Sequence, residues 1–167
     1  MPIAARSFAT HRTVILAGLA GSMAEVVWVA LYSAFSSVRS DEVLRQITAS
    51  ILPAFGEMPL APAFGLVMHF ALGVLVAYAF GILVWHAFTR RTGAGATLCA
   101  AVLALVAIWS LIFFVLLPVV NVQFTALMPY SVTLASKILF GVAMAGVLNS
   151  PLAKKSIELV ARSHAHA

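Results

Sequence analysis

The chain has 167 residues, 63% of them hydrophobic and only 9% charged, with a mean hydropathy of +1.07. Soluble domains carry about 25% charged residues, so this composition excludes an ordinary soluble globular domain and describes a single integral membrane domain over residues 1–167. The net charge of +5 comes mostly from Lys and Arg that flank apolar runs. This is not the aromatic-interleaved basic patch of a nucleic-acid binder.

Four apolar stretches are predicted to cross the bilayer as helices, at about 13–33, 62–87, 96–117 and 130–149. Each is long enough for a hydrocarbon core of ~30 Å, and lipid leaves helix as the only way to satisfy the backbone of such runs. Arg6 and Arg12 before the first stretch resemble the start of a signal peptide, but Glu25 interrupts the apolar run and a retained helix is expected. Between the first two spans, Ser40-Asp41-Glu42 reads as an N-cap with acidic first-turn residues. Val43, Leu44, Ile47 and Ile51 follow near helical spacing, and a short amphipathic helix over about 40–52 is predicted on the outer face. The second span ends near Trp85, His86 and Phe88, which read as interfacial residues like Tyr32, Phe35 and Tyr130. Cys99, the one cysteine, excludes a disulfide within the chain and is expected to be a buried small hydrophobe in the third span. The segment 118–129, broken by Asn121, Gln123 and two prolines, is predicted to be an interfacial loop. Past Ser150-Pro151 a basic surface helix is expected over 152–162, with His164 and His166 in a polar end.

Charge asymmetry orients the spans. Arg6, Arg12, Arg90, Arg91, Lys154, Lys155 and Arg162 fall on one side, against Arg39 and Arg45 on the other, where Asp41, Glu42 and Glu57 offset them. Seven against two places both termini in the cytoplasm. The expected architecture is an all-α bundle of four transmembrane helices.

Three ionisable residues lie inside the spans: Glu25, His69 and Lys137. Each costs roughly 2.5–3.5 kcal/mol on insertion scales, so such groups face a bundle interior and find partners. All three sit in rows of small or polar residues spaced four apart: Ala17, Gly21, Glu25 and Ser33, with Val29 the exception; Gly65, His69, Gly73, Ala77 and Gly81; Thr133, Lys137, Gly141, Ala145 and Asn149. Such rows let helices approach closely. At 1.5 Å per residue, Glu25, His69 and Lys137 share a depth of roughly 10–12 Å below the outer surface. They are predicted to cluster there, bordered by Trp28, Trp109 and Ser110.

A carboxylate, an imidazole and an ammonium at one depth could relay protons or hold a small ligand. They could equally be a buried Glu–Lys pair with a histidine neighbour that holds helix register. Other chemistry finds little support. His69 and His86 lie about 25 Å apart along one helix and cannot share a haem. A metal at Glu25 and His69 lacks a third strong ligand. No phosphate-binding loop or nucleophile arrangement is visible, so no cofactor, no metal and no enzymatic activity are expected.

Gly18-Leu19-Ala20-Gly21-Ser22 followed by Glu25 and Trp28, and His69-Phe70 followed by Gly73 and Tyr78, resemble small bacterial inner-membrane proteins of the YagU-like kind. That resemblance covers the first two spans. It implies a four-helix protein of the bacterial inner membrane and assigns no catalytic residue. The expected partners are the lipid bilayer and either other membrane subunits or further copies of this chain. Two roles follow: an accessory or structural subunit of a larger inner-membrane complex, or a small oligomeric transporter or proton-coupled permease using Glu25, His69 and Lys137.

Overall fold

The computed structural model describes residues 3–81, 83 and 93–150, with side chains from residue 11 onward. The sequence readings at Trp85, His86, Phe88, Arg90, Arg91 and the tail from 152 to 166 lie outside the described residues. The described chain is all-helical. In order run α1 (Ile3–Ala34), α2 (Ser40–Ile51), α3 (Ala61–Phe80), α4 (Ala94–Val120), α5 (Val122–Leu127) and α6 (Tyr130–Leu148). Four of these are long and apolar enough to cross a membrane: α1 from His11, α3, α4 and α6.

The four long helices pack in a row, α3 on α1, α1 on α6 and α6 on α4. The outer members of the row, α3 and α4, do not pack along one another. Small residues set the spacing. A Cβ on Gly18 would stand 2.7 Å from Val74 Cα, and one on Gly141 would stand 3.0 Å from Val102 Cα, so these backbones touch. Phe140 of α6 inserts its ring over Gly21 of α1 and against Gly73 of α3. Around it Val14, Ala17, Ala77, Phe80, Ala101, Leu105, Met144, Ala145 and Leu148 form a fully apolar core in the half of the bundle farther from α2.

At the other end, α2 lies across α3. Gly65 permits this, because any side chain there would collide with the Leu44 carbonyl, and Thr48 donates to Ala61 O at 2.6 Å. Val43 and Thr48 are the buried face of α2. Its cap differs from the expectation. Arg39, in extended backbone, is the N-cap and Ser40 is the first helical residue; no side chain caps the helix. Arg39 instead makes a bidentate pair with Asp41, at 3.0 and 2.9 Å. This hydrogen bond holds the Asp41 carboxyl below the usual carboxylate range and raises the Arg39 guanidinium.

Two further readings are corrected. The segment 118–129 is not a loop: α4 continues to Val120, then α5 follows after a break at Asn121. Pro118 is tolerated because a π turn over Ile112–Leu116 precedes it. That wider turn relieves the clash a proline ring makes in a regular helix. Asn121 caps α5 by accepting from Phe124 N at 3.1 Å. Cys99 is exposed on the outer surface of α4 rather than buried. Apart from these corrections, Phe113 is buried beside Trp109 and Leu117, while Phe114 is exposed.

Candidate functional site

The close contact of α1 with α3 and α6 carries Glu25 to both neighbours. Lys137 Nζ of α6 lies 2.6 Å from Glu25 Oε1, and His69 Nε2 of α3 lies 3.6 Å from Glu25 Oε2. Ser136 donates to Glu25 Oε1 at 3.2 Å while also reaching Thr133 O. His69 Nε2 also stands 3.3 Å from the Ser22 carbonyl. A carbonyl and a carboxylate are acceptors only, so Nε2 carries the hydrogen and Nδ1 is the nitrogen left to take a proton.

Exposure separates the three. The Glu25 side chain is 4% exposed, against 17% for His69 and 23% for Lys137. The carboxylate is the most buried member, and the imidazole and the ammonium are the more accessible ones. The three line the floor of a cavity of about 300 Å³, at the small end of sites that bury drug-sized ligands, ~300–1,000 Å³. Val26, Val29 and Ala30 of α1 and Ile112, Phe113, Leu116 and Leu117 of α4 make apolar walls. The roof comes from α2, through Val43, Leu44, Ile47 and Ile51, and from Phe124 of α5. Asn121 joins the two parts of this roof: its side-chain amide donates to Gln46 O, Gln46 Oε1 and Ser50 Oγ at 3.2, 3.0 and 2.9 Å.

Of the six residues singled out from sequence, Glu25, His69 and Lys137 meet at the floor, and Trp28, Trp109 and Ser110 are not among its lining residues. The tryptophans act as braces. Trp28 donates to Val132 O at 3.0 Å, tying α1 to α6, and Trp109 donates to Thr133 Oγ1 at 3.0 Å, tying α4 to α6. Ser110 returns its hydroxyl to Val106 O within its own helix. Sequence reasoning missed Ser136 and the Phe124 part of the roof; it had Thr133 in the polar row of α6 and a helix over about 40–52 on the outer face, but made neither part of the site. Ser136 is adjacent to Lys137 and could have been found by asking what satisfies the second side of a buried carboxylate. Among the described residues no three His, Cys, Asp or Glu side chains gather as a metal site.

Compared with protein-family models, with curated proteins and with solved structures, the chain gives no significant match.

Proposed function

We propose that the chain is a multi-pass protein of the bacterial inner membrane with both termini cytoplasmic, and that it is a small permease-type carrier working as an oligomer. One observation carries this reading: a buried ion cluster forms the floor of a mainly apolar cavity, with Ser40, Ser50, Thr133 and Ser136 as its other polar lining, under a helical roof. A pair that only held helix register would be served better by close packing on every side, since a cavity adds nothing to register. The orientation rests on the positive residues flanking the spans. The two arginines on the α2 side are both offset, Arg39 by Asp41 and Arg45 by Glu42 at 3.6 Å. In that orientation the cavity faces the periplasm and the apolar core around Phe140 closes the cytoplasmic half. This is one access state of a carrier. The resemblance to YagU-like inner-membrane proteins agrees with this placement.

A second reading, an accessory subunit of a larger complex, is favoured by the row arrangement. Because α3 and α4 do not pack on each other, both present long faces to which helices of another subunit could be added.

Purification in nanodiscs with mass spectrometry of everything that co-purifies separates the two. The carrier reading expects a partner-free oligomer carrying a small molecule that is lost in the cavity-narrowing variant Ala30→Phe. Membrane subunits at fixed ratio, with no small molecule sensitive to Ala30→Phe, would overturn it in favour of the accessory subunit.

A further inference from the structure

We infer that the cavity takes a monocarboxylic acid with a short apolar tail, held as a carboxylate on Lys137 and accompanied by one proton on His69. This rests on the carrier reading, since it names the ligand class of that same site.

The argument starts from which groups face the cavity. Glu25, His69 and Lys137 all line the floor, but Glu25 is the most buried of the three and its Oε1 is engaged by Lys137 and Ser136, so the more accessible groups there are the ammonium and the imidazole, which are hydrogen-bond donors. A cationic head would meet the ammonium first, with the Glu25 carboxylate already paired to it. An acceptor head meets the remaining hydrogens of the Lys137 ammonium, only one of which is directed to Glu25.

Charge balance then specifies the proton. With His69 neutral, Glu25 and Lys137 cancel. A carboxylate added to that set leaves one uncompensated negative charge in a low-dielectric site, which is costly. The groups facing His69 are Glu25 from α1 and Lys137 from α6. The charged residues of α2, Asp41, Glu42 and Arg45, do not line the cavity. Either Glu25 or His69 could restore neutrality by taking a proton; Glu25 is held as an anion by Lys137 and Ser136, whereas His69 turns Nε2 to Glu25 and Ser22 and keeps Nδ1 as a base, so the proton is assigned to His69. An arriving acid breaks its O–H bond and His69 gains an N–H bond at Nδ1. The head becomes a carboxylate on Lys137, and the imidazolium shares Glu25. No net charge enters the membrane.

The tail follows from the walls. Val29, Ile112, Leu116, Val43 and Ile47 supply no hydrogen-bonding side chain. About 300 Å³ is roughly ten times the ~30 Å³ share of one water in the liquid, room for a single short chain and not for a lipid with two full acyl chains.

The test is calorimetry on the full chain in nanodiscs at about pH 7, with octanoate, octanol and octylamine as probes and empty nanodiscs subtracted. Repeating the octanoate titration in buffers of different ionisation enthalpy counts protons. The expected result is saturable octanoate binding about tenfold or more tighter than octanol or octylamine, with uptake of roughly one proton per octanoate. His69→Gln should abolish the proton uptake and bring octanoate down to the level of octanol. Should that variant fail to fold, the wild-type proton count decides. Equal binding of octanol and octanoate without proton uptake, or tightest binding of octylamine, overturns the carboxylate assignment and leaves the carrier reading standing. Absence of saturable binding by all three probes overturns both.

Discussion

The two halves of the bundle solve the same packing problem in opposite ways. In the half away from α2, glycines and alanines bring the helices together and Phe140 fills the space between them, leaving a core whose buried members, among the described residues, are all apolar. In the half beneath α2, the same helices diverge around a cavity and place a carboxylate, an ammonium and an imidazole at its floor. Lipid supplies no hydrophobic force between helices, so dispersion contacts and interhelical hydrogen bonds must hold both halves. The first half uses contacts and sacrifices any site. The second uses hydrogen bonds and keeps space. The difference is one of space: the half away from α2 is closely packed, and the half under the roof keeps a cavity lined by the ionisable residues.

Removing one member of the ion pair should have the largest effect. Lys137→Met leaves Glu25 buried without its cation, and a loss of about 3–5 kcal/mol is expected. Combining it with Glu25→Gln should recover part of that loss in a double-mutant cycle read by unfolding in mixed micelles. Additive losses would mean the two residues do not act as a pair. In the closely packed half, Phe140→Ala should cost roughly 2–3 kcal/mol, less than the ~3–5 of an aqueous core because lipid removes the transfer contribution. The same measurement should show octanoate affinity almost unchanged, since Phe140 is not among the cavity's lining residues; a large loss of affinity would erase the distinction between halves. Gly65→Val acts on the roof. Its side chain would collide with the Leu44 carbonyl, and overpacking of this kind costs about 1–3 kcal/mol. Here ligand affinity should fall more than stability, because α2 is displaced from α3 while the core is untouched.

The smallest effect is expected at the surface end of α2. Arg39 lowers the Asp41 carboxyl through their hydrogen bond, so any stability this pair adds is present above the unfolded-state value and is lost as pH falls through the folded one. Both side chains are largely exposed, and salt screens such pairs. Asp41→Asn should leave the unfolding midpoint near neutral pH unchanged. A clear drop would show that the α2 start is held more tightly than its exposure implies.

How much of this is legible in the sequence varies with the range of the interaction responsible. The long apolar runs and the 40–51 helix are local features, visible as hydropathy and period. The meeting of Glu25, His69 and Lys137 follows from two regularities, common depth and membership of small-residue rows. The extent of α4 past Pro118 was not legible, because it depends on the π turn at Ile112–Leu116, which leaves no mark in composition. Nor was the joining of the two parts of the roof: Asn121 reads as a helix breaker, and only its long-range hydrogen bonds to Gln46 and Ser50 show that it fastens α5 to the predicted 40–52 helix. Trp109 shares the depth of the cluster and Trp28 lies one turn outward of Glu25, but both point to hydroxyl or backbone partners on α6, a matter of helix rotation that depth alone does not decide. Cys99 illustrates the same gap, since an apolar run says nothing about which face meets lipid.

The distinction between the halves is tested most directly by cysteine accessibility. With Cys99 replaced by Ser, single cysteines at Val29 and Ala30 on the cavity and at Ala17 and Ala145 in the dry core would be exposed to a small membrane-impermeant thiol reagent in right-side-out vesicles. Labelling at 29 and 30, slowed by octanoate, with none at 17 and 145, is the expected result. Equal labelling at all four positions, or labelling at 17 and 145 alone, would contradict a closed apolar half beneath an open site.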